Sequence, residues 1–152
     1  MRFVLLAVLF LPSAHAADET AQGQRTVLRV IDGDTIVLDG GETVRLIGID
    51  APEVASKGRR AQCYALMSAG YLSKLLEKTE VRIEGDSLGD EKDKYGRTLA
   101  YVFLNDGRLL NSELVRRGYA RAYTKFPFRY ADLFVSQEQA AKKARAGLWG
   151  RC

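Results

Sequence analysis

Two short segments of the sequence bring acids and an arginine together at the ends of strand-like runs. They are Asp34 in IDGDT, residues 31–35, and Arg45, Asp50 and Glu53 in VRLIGIDAPE, residues 44–53. An arginine fork can hold two phosphate oxygens at once, and carboxylates can hold a hard divalent cation. A glutamate can take a proton from water. Together these groups predict hydrolysis of a phosphate diester, whose negative charge grows in the transition state.

A second arginine, Arg97, lies further along the chain in DKYGR, residues 93–97. Taken singly, each of these residues has an ordinary structural interpretation. Asp34 alone is typical of a turn, and Arg45 alone is typical of a charge on a strand face. The combination, with several such residues in one short span, favours the chemical interpretation.

Histidine chemistry is disfavoured. His15 is the single histidine of the 152 residues, and it lies in an N-terminal segment that is predicted to be removed. Common zinc sites use histidine or clustered cysteine, and serine hydrolases need a histidine base. Acid–base work must then fall to a carboxylate, a lysine or a tyrosine. The formal net charge of +4 suits an anionic partner, although it also suits ordinary solubility.

The elements that must carry these residues follow from hydrophobic periodicity and turn residues. Five strands are predicted, over 26–31, 35–39, 42–49, 79–85 and 97–104. Asp-Gly pairs separate the first three strands, which therefore form a meander. Three helices are predicted, over 61–78, 111–118 and 130–146. This order predicts an α+β domain with a small, closed, five-stranded β-barrel of the OB-fold type and three α-helices.

Two details of the helices are predicted as well. In the first helix, Tyr64, Met67, Tyr71 and Leu75 recur at helical spacing with Leu72 and Leu76 beside them, so this face is expected to pack on the sheet. In the second helix, Asn111 is expected to cap the N-terminus.

The first residues have the pattern of a signal peptide. Arg2 precedes an apolar run from Phe3 to Leu11, and Ala14-His15-Ala16 predicts cleavage after residue 16. This run is much shorter than the ~20 residues that cross a bilayer, so export is favoured over a membrane anchor. The predicted organisation is a signal peptide over 1–16, a flexible leader over 17–25 and one domain over 26–152. The mature protein is expected in a periplasm or outside the cell, without membrane attachment.

The two cysteines, Cys63 and Cys152, are far apart in sequence. In an exported chain they predict a disulfide that ties the C-terminus back to the first helix. The alternative is a buried thiol at the first position and a free thiol at the second.

Four motifs make the chain resemble the staphylococcal nuclease, or thermonuclease, family. They are IDGDT (31–35), VRLIGIDAPE (44–53), DKYGRTLAYVF (93–103) and LVRRGYARAY (114–123). They occur in the family's order and spacing, and the resemblance runs from about residue 26 to residue 149. It implies a monomeric, calcium-dependent hydrolase of DNA and RNA that leaves 3′-phosphate products.

The resemblance also implies a role for each matching residue. The matches are Asp34, Asp50 and the backbone carbonyl of Ala51 for one calcium ion, Arg45 and Arg97 for the phosphate, and Glu53 as general base. The best-known members have threonine where this chain has Ala51, so a backbone ligand survives there but a hydroxyl does not. Oxygen ligands alone would also permit magnesium or manganese.

Lys94, Tyr95 and Tyr123 resemble the family's nucleotide-binding rim. Tyrosine offers a stacking face for a base, which favours single strands of any sequence. For Tyr123, packing in the core is an equal alternative.

Two other functions compete with that of a nuclease. A non-catalytic OB-fold module that binds nucleic acid is expected to lack some of the five charged residues, and all five are present. An exported structural or sugar-binding domain would leave their combination a coincidence. The sequence leaves open whether DNA or RNA is preferred and whether cutting is internal or from an end.

Overall fold

The computed structural model describes residues 23–152, so the predicted signal peptide and the leader up to residue 22 lie outside the described part. The strands are β1 (Gln24–Asp32), β2 (Thr35–Leu38), β3 (Thr43–Leu46), β4 (Ile49–Asp50), β5 (Glu80–Glu84), β6 (Thr98–Phe103) and β7 (Arg121–Ala122). The helices are α1 (Ala65–Leu76), α2 (Leu110–Arg116), α3 (Ala131–Lys143) and the single turn α4 (Leu148–Arg151). Among these helices there is none long and apolar enough to cross a membrane.

Five strands close into a barrel in the order β1-β2-β3-β6-β5, with β5 pairing back onto β1. The pairs are antiparallel except for β3 and β6, which run parallel with Val44 opposite Thr98. Fully buried side chains such as Ile36, Leu46 and Tyr101 belong to the core inside this barrel. The predicted α+β class, with a five-stranded OB-type barrel and three main helices, is confirmed.

Both hairpins predicted from Asp-Gly pairs form. β1 and β2 are joined by a turn at Gly33 and Asp34, directly after Asp32, and β2 and β3 are joined by a 3-10 turn over Asp39–Gly41. β1 begins at Gln24, two residues before the predicted start, and Arg25 forms ion pairs with Asp39 and Glu42 across the second turn. The meander therefore holds the turn that carries Asp34 and the strand that carries Arg45 in a fixed register, with Thr35 opposite Arg45.

The single strand predicted over 42–49 is wrong, because the chain divides there into β3 and β4. The break lies at Gly48, whose φ is +74°, a conformation that favours glycine. A Cβ at this position would lie 2.5 Å from the ring of Phe128, so close approach also requires glycine. β4 then pairs with β7 in a separate two-stranded sheet, and Asp50 lies on that sheet.

Helix α1 packs on the barrel through Ala65, Ser68, Leu72 and Leu76. The predicted face was wrong at Met67, which is exposed, and at Tyr64, which precedes the helix. Small residues are needed where the β1–β2 turn approaches the helix, since a Cβ on Gly33 would lie 2.8 Å from Ser68 Cβ and 2.6 Å from Ala51 Cβ.

Asn111 does not cap α2, as the sequence predicted. The helix begins at Leu110, and Asn111 is fully buried in its first turn. Its Oδ1 accepts from Val102 N–H at 3.0 Å, while its Nδ2 donates to Ile47 O at 2.9 Å and to Ala100 O at 3.3 Å. The side chain therefore satisfies the backbone of Ile47 and Val102, which lie just beyond the last β3–β6 pair, Leu46 and Ala100.

The C-terminus is fastened to the body of the domain. Leu148 in α4 is buried, and its N–H donates to Gly118 O at 2.9 Å. Cys63 and Cys152 form a disulfide, with their Cα atoms 5.9 Å apart. The bridge joins the residue after α4 to the segment just before α1, as the first of the two cysteine hypotheses expected.

Candidate active site

The carboxylates of Asp34 and Asp50 meet at the guanidinium of Arg45. Arg45 Nη2 lies 3.1 Å from Asp34 Oδ2 and 3.6 Å from Asp50 Oδ1. In β3, Val44 and Leu46 are buried in the barrel, so strand alternation directs Arg45 to the other face. The turn after β1, the wall strand β3 and the short strand β4 thus each bring one charged residue to the same point.

Arg45 is fixed by backbone carbonyls as well as by acids. Its Nη1 donates to Leu46 O at 2.9 Å and to Ile49 O at 2.8 Å. Its Nε–H makes no hydrogen bond within residues 23–152, so this donor remains for a ligand. The side chain is only 16% exposed, which strengthens its interaction with an anion because less water screens the charge.

Asp34 is a buried carboxylate surrounded by donors. Ala51 N–H donates to Asp34 Oδ2 at 2.7 Å, and Thr35 Oγ1 donates to Asp34 Oδ1 at 2.9 Å. Burial raises the pKa of Asp34 to about 7, even though the positive charge of Arg45 and the Ala51 amide act to lower it. The positive charge of Arg45 therefore does not fully offset the cost of burying the ionised Asp34 carboxylate.

This environment fits a hard cation. Asp34 keeps lone-pair capacity beyond its donors, Asp50 is half exposed, and the Ala51 amide is tied to Asp34. Carboxylate and carbonyl oxygens are the ligands that calcium and magnesium take. Residues 23–152 contain no group of three or more His, Cys, Asp or Glu placed to hold a metal ion, so this candidate site has two carboxylates.

Glu53 lies just beyond this cluster, three residues after Asp50. Its carboxylate is exposed and makes no hydrogen bond or ion pair within residues 23–152. Its backbone is held by Gln62, whose Oε1 accepts from Glu53 N–H at 3.0 Å and whose N–H donates to Glu53 O at 2.9 Å. The structure therefore leaves this carboxylate open to solvent.

Arg97 lies at the end of a tight turn that Asp93 closes. Asp93 Oδ1 accepts from the backbone N–H groups of Tyr95 and Arg97, at 2.9 and 3.0 Å, and Asp93 Oδ2 accepts from Arg97 Nε at 2.7 Å. Gly96 supplies the positive φ, +80°, that the turn requires. Both Nη groups of Arg97 remain without a protein partner in the described residues, so its fork is available to a ligand.

A groove of about 800 Å³ connects the two arginines. Six of the residues predicted for the site line it, namely Arg45, Asp50, Lys94, Tyr95, Arg97 and Tyr123. Asp34 and Ala51 are buried and Glu53 is exposed, and these three are not part of its lining. The groove brings two guanidinium groups and two aromatic faces onto one surface.

The aromatic residues of the groove differ in exposure. The Tyr95 ring is 72% exposed, with Lys94 Nζ 5.0 Å and Arg97 Cζ 5.5 Å from its centroid. Tyr123 is 38% exposed, which is not the environment of a core residue. The Tyr123 N–H donates to Gly48 O at 2.8 Å, so Tyr123 lies beside the break between β3 and β4.

Sequence reasoning missed Lys125 and Phe126, which also line the groove. The Phe126 ring is 63% exposed and lies 6.3 Å from the Tyr123 ring, with Lys125 Nζ 5.8 Å from its centroid. The signal that could have found them is the run YTKFPF, in which basic and aromatic residues alternate around Pro127. Its second phenylalanine, Phe128, is buried against Gly48 instead.

The fold and the site together are an OB-type barrel in which two acids meet one arginine beside a groove with basic and aromatic side chains. The sequence model of the staphylococcal nuclease homologue family matches residues 43–151. Thermonuclease of Staphylococcus intermedius is 41% identical over 129 residues, which are 82% of this chain and 75% of that protein. Thermonuclease of Staphylococcus hyicus is 36% identical over 127 residues, 81% of this chain and 73% of that protein.

A relative outside the staphylococci is also similar. Endonuclease YncB of Bacillus subtilis is 35% identical over 142 residues, 90% of this chain and 66% of that protein. The chain therefore belongs to the staphylococcal nuclease family, and its enzyme class is that of a hydrolase, a nuclease.

Proposed function

We propose that this chain is a calcium-dependent phosphodiester hydrolase that cuts DNA and RNA, prefers single strands and leaves 3′-phosphate products. The observation that carries the proposal is the meeting of Asp34 and Asp50 on Nη2 of Arg45, with Arg97 on the same groove. Such a site offers two carboxylates to a cation and two guanidinium groups to a phosphate. The thermonucleases among its relatives support the same reaction.

The two arginines bind the phosphate diester in this mechanism. Arg45 contributes its free Nε–H from a rigid position on the barrel wall, and Arg97 contributes both Nη groups from the Asp93 turn. Their charges stabilise the additional negative charge on the non-bridging oxygens as water attacks. Because the protein holds both groups before the substrate arrives, little reorganisation is needed during the reaction.

Glu53 acts as the general base that takes a proton from the attacking water. It is suited to this role because its carboxylate has no protein partner in the described residues and lies on the segment that leaves the Asp50 strand. Asp34, Asp50 and the carbonyl of Ala51 are the residues that would hold one calcium ion. When bound, calcium supplies Lewis-acid polarisation of the phosphate and offsets the burial of the Asp34 charge.

The rim of the groove carries the preference for single strands. Tyr95, Tyr123 and Phe126 offer exposed rings on which unpaired bases can stack, and Lys94 and Lys125 contribute positive charge beside those rings. None of these side chains forms a base-specific pattern of donors and acceptors, so we expect tolerance of sequence.

The protein acts after export, in a periplasm or outside the cell, as a monomer without membrane attachment. A disulfide between Cys63 and Cys152 supports an oxidising compartment. The apolar N-terminal run and Ala14-His15-Ala16 support removal of residues 1–16 during export.

The test is hydrolysis of a single-stranded oligonucleotide with calcium and with excess chelator, using wild type, Glu53→Gln and the control Glu80→Gln. Glu80 is an exposed acid at the start of β5. We expect cutting by wild type and the control in calcium, none in chelator, and a loss of at least a hundredfold in Glu53→Gln. Strand binding without cutting in every divalent ion would establish the non-catalytic binding module instead.

A further inference from the structure

The segment that carries Glu53 is a closed loop whose two ends are joined by one residue, Gln62. The Gln62 side chain accepts the Glu53 N–H, and the Gln62 N–H donates to the Glu53 carbonyl. Nearer the tip, Ser56 and Arg59 exchange two backbone hydrogen bonds, at 3.1 and 2.8 Å. The loop over 53–62 is thus closed twice. The Glu53–Gln62 hydrogen bonds close its neck and form the clamp referred to below, and the Ser56–Arg59 hydrogen bonds close its tip.

Little else holds this loop in place. Its residues from Ala55 to Gln62 are exposed, and they add no side chain to the buried core. The side chains of Lys57, Arg59 and Arg60 make no ion pair within residues 23–152. Before Glu53 the chain is held by the buried Ala51 and Pro52, whereas after Glu53 its direction depends on the hydrogen bonds of Gln62 at the neck of the loop.

Gln62 is fixed in turn by its neighbours. Its carbonyl accepts the N–H of Ala65 at 3.1 Å, at the start of α1. The next residue, Cys63, is bonded to Cys152. Cys152 follows α4, which is a firm anchor because Leu148 is buried and Gly147 contacts Gly118 so closely that a Cβ would lie 2.2 Å from the Gly118 oxygen.

We propose that Gln62 is a positioning residue for Glu53, and that the Cys63–Cys152 disulfide holds Gln62 in place, so that the rate of hydrolysis depends on the redox state of this bridge. The inference rests on the proposed role of Glu53 as the base. Its consequence is a nuclease that works in an oxidising compartment and is slowed where dithiols reduce the bridge.

The redox step is ordinary thiol–disulfide exchange. A dithiol reductant gives up two electrons and two protons and closes its own disulfide, while Cys63 and Cys152 each become a thiol. Both cysteines are exposed, so the reductant can reach them without unfolding the domain. The covalent link between the neck of the loop and α4 is then lost, although the hydrogen bonds of Gln62 can still form part of the time.

The first arm of the experiment changes the clamp alone. Gln62→Met keeps the length of the side chain but removes the acceptor, and Gln62→Glu keeps an acceptor oxygen and serves as the conservative control. We expect kcat to fall by roughly 10- to 100-fold in Gln62→Met, as for a misplaced catalytic group, with KM and the thermal midpoint nearly unchanged. Gln62→Glu should recover most of that loss.

A double-variant comparison then separates positioning from general support. If Gln62 acts through Glu53, adding Gln62→Met to the Glu53→Gln protein should lower its residual rate no further. A further tenfold fall in the double variant would mean that Gln62 supports some other part of the site and would overturn the proposal.

The second arm changes the disulfide. Wild type treated with dithiothreitol, with two free thiols counted, should lose at least roughly fivefold in kcat, and reoxidation should restore it. The double variant Cys63→Ser, Cys152→Ser should have the lower rate and should not respond to reductant. Full activity of the completely reduced wild type would overturn the redox dependence.

The outcomes also separate this inference from the proposed function. Full activity of Glu53→Gln would remove the proposed base itself. An inactive Glu53→Gln together with full activity of Gln62→Met would leave the base in place and overturn only the positioning role of Gln62.

Discussion

The barrel side of the site and the loop side hold their charged groups in different ways. On the barrel side, Asp34 and Arg45 are buried and bonded to each other and to backbone groups of neighbouring strands. On the loop side, the Glu53 carboxylate is exposed, and its backbone depends on Gln62. The charges that are proposed to bind cation and phosphate are thus part of the barrel, whereas the proposed base lies on a loop that the two hydrogen bonds of Gln62 hold.

A similar difference separates the two arginines. Arg45 is 16% exposed with two carbonyls and two acids as partners, while Arg97 is 31% exposed with Asp93 as its ion-pair partner. The same chemical role therefore has different consequences for stability. Replacing Arg45 should lower both activity and stability, whereas replacing Arg97 should lower activity with little loss of stability.

The largest expected effects come from replacing these arginines. Arg45→Ala and Arg97→Ala should each lower kcat/KM by roughly a thousandfold or more, since each removes a phosphate-binding group. Arg45→Ala should also cost about 2–4 kcal/mol of unfolding free energy, because it removes the ion-pair partner of a buried acid and the donor to two carbonyls. Arg97→Ala should cost less than about 1 kcal/mol. Activity assays and denaturant unfolding measure both quantities.

Arg45→Lys is the matched control for this comparison. It keeps a positive charge near Asp34 but loses the planar fork, so it should be inactive and more stable than Arg45→Ala. Equal stability losses at the two arginine positions would break the distinction between barrel side and turn.

The second effect concerns pH and is confined to the barrel side. Asp34 has its pKa raised to about 7 in the folded protein, mainly by burial. A raised pKa adds stability below the unfolded value, near 4, and this stability is lost as pH rises through about 7. Metal-free protein should therefore lose unfolding free energy between pH 5 and 8, by up to about 1 kcal/mol per pH unit. Thermal unfolding at several pH values measures this loss.

Other acids titrate outside that window. Groups such as Asp39, Asp93 and Glu113 have lowered pKa values, so their contributions to stability are fully present above about pH 5 and are lost only as pH falls further. Calcium should raise the thermal midpoint more at pH 8 than at pH 5, because protons compete for the same carboxylate. An Asp34→Asn protein that kept the full pH dependence between 5 and 8 would contradict the assignment.

The smallest effect is expected at the rim. Phe126→Ala should raise KM for single strands by roughly fivefold or somewhat more, in keeping with about 1 kcal/mol or more for a stacked base, and should leave kcat unchanged. Leu133→Ala, an exposed apolar residue on α3 outside the groove, is the control. Steady-state kinetics that gave the same KM for both variants would remove Phe126 from the substrate surface.

The sequence predicted the elements better than it predicted their breaks. Asp-Gly pairs located both hairpins because turn chemistry is local, and alternation predicted the barrel strands. The break at Gly48 could not be predicted, since it depends on the distant ring of Phe128. Asn111 was misassigned for the same reason, because its partners Ile47 and Ala100 come from other strands.

In the candidate site too, residues within motifs were predicted, and residues that depend on contacts distant in sequence were not. Motif spacing was enough to select Asp34, Arg45 and Asp50, and the structure brings these three together. Gln62 and Phe126 were missed, because neither belongs to a motif and their importance depends on what lies beside them in space. Sequence patterns identify groups that do chemistry more readily than groups that hold them.

The most direct test of the two-sided account is calcium binding by calorimetry, with wild type, Asp50→Asn and Glu53→Gln measured beside their rates of hydrolysis. Asp50→Asn should weaken calcium binding at least roughly tenfold, because it removes one of two carboxylates from the ion. Glu53→Gln should bind calcium within a few-fold of wild type and yet lose at least a hundredfold in its rate of hydrolysis. Unchanged calcium binding in Asp50→Asn, or equal losses of binding in both variants, would contradict the account.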